Sequence, residues 1–136
     1  MRRIVSRLCV VLFSVLSMIV PGALPAAASA AAIDAVTCSS YNWSYYRYFN
    51  RSPVISPPIT CTVSGGVAPY TYHWGYAGGD PNIQATNVSG NTTSFQRGVG
   101  NGGYWVATWR LEVIDSAGST AVSPAVTVEF EWETGQ

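Results

Sequence analysis

The sequence has no lysine, one histidine and three cysteines, and only 10% of its residues are charged. The lone histidine, His73, has no G-x-S-x-G or similar nucleophile motif beside it, so a hydrolytic triad lacks its parts. No glycine-rich phosphate loop is present either. The chain is therefore expected not to be an enzyme, to carry no catalytic residues and to need no cofactor. All seven basic residues are arginine, and they form no patch. Such a chain is not built to bind nucleic acid or an anionic membrane surface. Helical periodicity is missing beyond the first 30 residues, which excludes an α-helical domain.

What is present begins with a leader. Met1-Arg2-Arg3 and Arg7 surround the start of an apolar run, Leu8 to Val20, and Ala28-Ser29-Ala30 follows. A basic start, a short apolar centre and a small-x-small site form a secretory signal peptide. The run has 13 residues, against the roughly 20 that a membrane-spanning helix needs. The expectation is a signal peptide over 1–30, cleaved after Ala30, and one domain over 31–136. That domain is secreted, to a periplasm or the cell exterior, with no membrane insertion after cleavage.

The domain keeps Arg47, Arg51, Arg97 and Arg110 against three aspartates and four glutamates, a net charge of −3. Its 106 residues suit a single core. Two cysteines remain, Cys38 and Cys61, and in an exported protein they are expected to pair. Closing a loop of that size stabilises the fold by about 3 kcal/mol through the unfolded chain. With the thiols paired, one histidine cannot build a zinc site. Asp80 with Asn82, or Asp115 near Glu112, offers oxygens, but the spacing matches no calcium loop, and aspartates at turns serve the backbone. No metal is expected.

Strand signals run through the rest. Ala35 to Cys38 starts the first. Tyr41 to Phe49 follows, with aromatic residues at both parities, so a strand there buries one set and exposes the other. Ile59, Cys61 and Val63 alternate with Thr60 and Thr62, Ser64-Gly65-Gly66 and Pro69 break the run, and Tyr70, Tyr72 and Trp74 alternate with Thr71 and His73. His73 should point outward. Gly75 to Pro81 reads as turn, and Asn82 to Asn91 as a polar stretch anchored by Ile83 and Val88. Thr92 to Arg97 reads as a short strand presenting Phe95, and Gly98 to Gly103 as a loop. Tyr104 to Asp115 is the longest strand, with Trp105, Ala107, Trp109, Leu111 and Val113 on one face. In the last, Val126, Val128, Phe130 and Trp132 alternate with Thr127, Glu129, Glu131 and Glu133. That row of glutamates reads as a solvated surface that keeps an edge strand from pairing with another chain. Many short strands with Gly/Pro turns predict an all-β antiparallel sandwich.

These residues carry a resemblance. Cys61 followed by Trp74 resembles the cysteine and core tryptophan of the second and third strands of immunoglobulin-like domains. Ser64-Gly65-Gly66-Val67-Ala68-Pro69-Tyr70-Thr71-Tyr72-His73-Trp74 resembles the S-G-G-x-x-P-Y-x-Y-x-W segment of bacterial PKD-like secreted modules. Leu111 to Thr120 resembles their penultimate strand and its V-x-D-x-x-G turn. The likeness spans Ile59 to Trp132 and implies an immunoglobulin-like, PKD-like β-sandwich. It implies little about function, because this architecture hosts many roles. Two departures stand out. No cysteine follows Cys61, so its partner is Cys38, and the bridge ties the first segment to the second strand instead of joining the sheets. The aromatic first segment also has no counterpart in the pattern.

That segment carries the one functional signal. Tyr41, Trp43, Tyr45, Tyr46 and Tyr48 are the candidate ligand-binding residues, since Tyr and Trp stack on sugar faces and anchor protein interfaces. The competing reading is that they fill the core of a small sandwich. The expected function is a non-enzymatic binding or adhesion module for a glycan or an extracellular protein. One alternative is an assembly protein that pairs through edge strands. Another is a small hydrolase using carboxylates on opposed strands. Four N-glycosylation sequons, at Asn42, Asn50, Asn87 and Asn91, matter only in a eukaryotic host.

Overall fold

The computed structural model describes residues 31–48, 53–98 and 102–133. The expected leader, the segment 49–52 with the Asn50 sequon, and part of the glycine loop (99–101) lie outside the described residues. Within them the chain forms eleven strands and no helix. The strands are β1 (Ile33–Cys38), β2 (Asn42–Tyr48), β3 (Val54–Ile55), β4 (Ile59–Gly65), β5 (Thr71–Gly79), β6 (Ile83–Ala85), β7 (Thr92–Thr93), β8 (Phe95–Arg97), β9 (Gly103–Ile114), β10 (Thr120–Val122) and β11 (Val126–Glu133).

One layer joins two ladders, β1–β4–β7 and β3–β8–β6, which share the chain at β7 and β8. The other layer runs β5–β9–β11–β2, with β10 beside the far end of β9. The result is an all-β immunoglobulin-like sandwich. Its core comes from alternate positions of the strands, as a period of two requires. Val36, Ile59, Cys61 and Phe95 of the first layer face Trp74, Trp109, Leu111, Val128 and Phe130 of the second. Trp74 and Phe95 meet edge to face with centroids 5.6 Å apart, and the Trp74 indole donates to the Gly90 carbonyl at 3.0 Å. A buried tryptophan whose N–H is satisfied contributes its full apolar area to stability.

Cys38 and Cys61 are register partners on β1 and β4 and form a disulfide. The bridge therefore lies within one layer, next to the point where the chain leaves it. From Cys38 the chain crosses to the other layer and becomes β2. The Tyr41 hydroxyl accepts the Cys38 N–H at 2.9 Å, and the Thr127 N–H donates to the Tyr41 carbonyl at 2.8 Å. These bonds satisfy the backbone at a corner where no ladder can.

The turn between β4 and β5 follows from its glycines. Gly65 and Gly66 both have positive φ, 72° and 73°, and a Cβ on Gly65 would stand 2.7 Å from the Ala32 carbonyl oxygen. Only glycine fits both conditions. Asp115, at the end of β9, locks this turn: its carboxylate accepts the N–H groups of Val67, Ala117 and Ser119 at 2.7–3.0 Å. Desolvation alone would raise its pKa, but these bonds outweigh it and hold the carboxyl below the usual value.

Several sequence expectations need correction. Gly75 to Gly79 is not a turn. It continues β5 opposite Arg110 to Ala107 of β9, with an irregularity between Tyr76 and Gly78. A long partner strand supplies ladder bonds that override weak local propensity. Val88 is no anchor; its side chain is exposed, and its carbonyl accepts the Trp74 N–H at 2.8 Å. β11 is not an edge strand. It lies between β9 and β2, and its pairing with β2 is parallel, so the sandwich is not wholly antiparallel. Glu131 and Glu133 face solvent from within the sheet, and Glu129 beside them is half-buried.

Candidate functional site

β2 divides its aromatic residues by parity. Tyr41, Trp43 and Tyr45 are half-buried and pack against the core. Trp43 meets Phe130 edge to face at 5.2 Å and stacks on Tyr45 at 5.8 Å. Tyr46 is 50% exposed on the opposite face. Tyr48 ends the strand opposite Glu133, and its side chain lies outside the described set. The five candidates therefore do not form one surface. Three turn inward, and Tyr46 turns to solvent.

The register of the sheet gives Tyr46 a companion that the sequence pattern did not single out. Tyr46 of β2 pairs with Glu131 of β11, and Glu131 pairs with Tyr104 of β9. Tyr104 is 58% exposed. Two exposed tyrosines thus flank a glutamate in one row across three strands. Adjacent strands lie about 4.8 Å apart, which puts the two tyrosine backbones roughly 10 Å apart. Partial desolvation, the interaction of its hydroxyl with Glu129 and the charges of Glu129 and Glu131 together hold the Tyr104 proton above the usual tyrosine pKa. Sequence spacing could not have paired residues 58 positions apart; only the order of strands does.

The inner face at the same end is a closed cluster. The Arg97 guanidinium lies 3.7 Å from the Trp105 ring centroid and 5.1 Å from that of Trp132. Its Nε donates to Asp80 Oδ2 at 2.8 Å, and the two side chains are largely buried. The Asp80 Oδ1 accepts from the Asn82 backbone and side chain at 2.9 and 2.8 Å. Burial works to raise the Asp80 pKa, and these bonds from Asn82 and Arg97 more than reverse it. The Nε1 atoms of Trp109 and Trp132 are buried without an acceptor, at a cost of about 1–3 kcal/mol each. The cluster is thus structural, with its carboxylate and its cation both engaged internally.

His73 is exposed between the inward positions of Tyr72 and Trp74. Among the described residues, no group of three or more histidine, cysteine, aspartate or glutamate side chains converges as a metal site. The same residues contain no helix long and apolar enough to cross a membrane.

The sequence matches no described protein family, and no curated protein resembles it significantly. Among solved structures, the chain is similar to the ASH / PapD-like domain of human CEP192 (PapD-like domain 7). That likeness has a TM-score of 0.57 at 11% identity and covers 92% of this chain and 99% of that one. At that identity it bears on the fold alone, and it agrees with an immunoglobulin-like sandwich.

Proposed function

We propose that the protein is a secreted, non-enzymatic binding module of the bacterial PKD-like kind. It engages an extracellular partner, glycan or protein, through the outer face of the β9–β11–β2 sheet. One observation carries this reading: Tyr46 and Tyr104 stand exposed in the same row of that face. Paired aromatic rings on a rigid sheet present apolar area at low entropic cost, which suits both sugar stacking and protein anchoring. Tyr41, Trp43 and Tyr45 support the face from beneath. The test is binding to printed arrays of oligosaccharides and of peptides, with a Tyr46→Ala/Tyr104→Ala variant alongside. The variant should keep its thermal melting profile and lose its array signal. A variant that binds as well as the parent would move the site off this face.

A second reading has its own observation. β2 has a neighbouring strand on one side only among the described residues, and such an edge is a template for pairing with another chain. Assembly through β2 would appear as a concentration-dependent oligomer in sedimentation. A strict monomer would exclude it.

A further inference from the structure

On the side of the sandwich away from β2, the outermost strands of the two layers are β5 and β6. Among the described residues each has one partner strand, β9 and β8 respectively. Residues 80–82 carry the chain directly from β5 to β6. Beyond β6 the chain returns to β5, where the Trp74 N–H donates to the Val88 carbonyl and the Trp74 indole to the Gly90 carbonyl. The gap between the layers is therefore closed twice on this side, by the 80–82 link and by the segment around Val88. Tyr76 stands between the two closures.

Tyr76 and Trp109 are register partners on β5 and β9. Trp109 is 7% exposed, and its ring meets Phe95 of the other layer at 5.6 Å. Tyr76 is 46% exposed, and its ring covers Trp109 edge to face at 5.6 Å. The Tyr76 hydroxyl donates to the Gly79 carbonyl of its own strand. Among the described residues, no hydrogen bond or ring contact ties Tyr76 to the other layer. The indole that it covers carries an N–H that is buried with no acceptor. Trp74, two residues earlier on β5, has its own indole N–H satisfied by Gly90. Buried donors are almost always paired, so an exception beneath a half-exposed side chain points to a partner that a ligand brings.

Outward rotation of Tyr76 uncovers two groups at once. One is the Trp109 N–H, a donor on the inside. The other is the Gly79 carbonyl, an exposed acceptor released from the tyrosine hydroxyl. A donor within and an acceptor at the rim match a secondary amide, whose C=O and N–H point in opposite directions. The phenol ring that leaves is larger than an acetamido group, so its space admits one. An acetamido group also ends in a methyl, which suits the enclosed rings, whereas a peptide carbonyl continues into further chain. Asp80 is the one charged residue between His73 and Arg97 in the sequence, and it is paired with Arg97. The opening therefore favours a neutral group.

We propose that Tyr76 is the movable cover of a side pocket for the acetamido group of an N-acetylated amino sugar. Trp109 Nε1–H donates to the ligand carbonyl, Gly79 accepts from the ligand N–H, and the methyl lies against Phe95. The displaced tyrosine offers its apolar face to the sugar ring, which favours a sugar over a flexible side chain as the bearer of the group. This pocket is apart from the outer face of β9–β11–β2 and does not depend on it.

The test follows the Trp109 indole N–H resonance of the isotope-labelled, oxidised protein, identified by its loss in Trp109→Phe. N-acetylglucosamine should move it downfield and saturate on the order of millimolar concentration, while glucose and glucosamine should leave it in place. Tyr76→Phe keeps the ring and removes the bond that holds the cover shut. It should tighten binding about 2- to 10-fold, the scale of one neutral hydrogen bond. A tyrosine that served packing alone would give no such gain. Tyr104→Ala, on the outer face, should leave the titration unchanged.

The proposal is overturned if the Trp109 resonance stays fixed up to about 50 mM N-acetylglucosamine, if glucose moves it equally, or if Tyr76→Phe binds no more tightly. A fixed Trp109 resonance with a sugar response at Tyr104 would leave the outer face as the binding site and discard the pocket. Acetylated lysine binding as well as the sugar would discard the sugar as the bearer. A long-lived water that contacts the indole N–H and stays there at sugar saturation would also discard the pocket.

Discussion

At one end of the β9–β11–β2 sheet, neighbouring residues of the same strands meet opposite environments. Trp105 and Trp132 turn inward and enclose Arg97, whose charge is matched by Asp80. Tyr104 and Glu131, one residue earlier on each strand, turn outward beside Tyr46. The chemical parts are alike, rings and a carboxylate, and the consequences differ with burial. Inside, a desolvated cation must be compensated, so every partner is structural. Outside, the tyrosines are half or more exposed and Glu131 is exposed, so the same parts cost little to leave in place. What separates scaffold from candidate site here is parity along a strand.

That contrast predicts a graded set of responses. Trp132→Ala should be the most damaging, removing a buried ring from the Arg97 cluster at about 3–5 kcal/mol. Urea unfolding would show it as a lower midpoint with an unchanged slope. A loss below about 1 kcal/mol would mean that the cluster is not packed as described. Asp80→Ala comes next, at about 3 kcal/mol, because it strands the largely buried Arg97 charge.

Acid should act on the same pair. The Asp80 carboxyl titrates below its usual value in the fold, so its contribution is complete above the unfolded pKa and lost as pH falls through the folded one. The urea midpoint should therefore hold steady down to about pH 4 and drop below it. Asp80→Ala should flatten that drop without abolishing it, since Asp115 is depressed in the same direction. A midpoint that rises on acidification would contradict the sign for both groups. The smallest effect belongs to the outer face: Tyr104→Ala should change stability by no more than about 0.5 kcal/mol. A larger loss would make Tyr104 part of the scaffold and erase the contrast.

Much of the scaffold was legible beforehand. Alternation in Ile59 to Val63, Tyr104 to Ile114 and Val126 to Glu133 located β4, β9 and β11 and their buried faces. The Cys38–Cys61 pairing followed from compartment and count, and the structure contains it. Gly75 to Gly79 misled because glycine signals a turn unless a partner strand captures it, and β9 does so. Arg97 was legible only as a strand end, since nothing local reveals that two tryptophans from distant strands close over it.

The candidate site was half legible. The aromatic content of β2 drew attention to that strand, but no pattern within it could say that Trp43 would meet Phe130 while Tyr46 stood exposed. The sequence by itself determined most of the strands, their inward faces and the disulfide, because period-two patterning, turn chemistry and cysteine count can be read without the fold. Tertiary structure alone decided that β2 would run parallel to β11, with Glu131 between Tyr46 and Tyr104 and Arg97 enclosed beneath. Those outcomes depend on strand order and register between distant segments, and burial, which sets the cost of each charge, exists only once the layers have met.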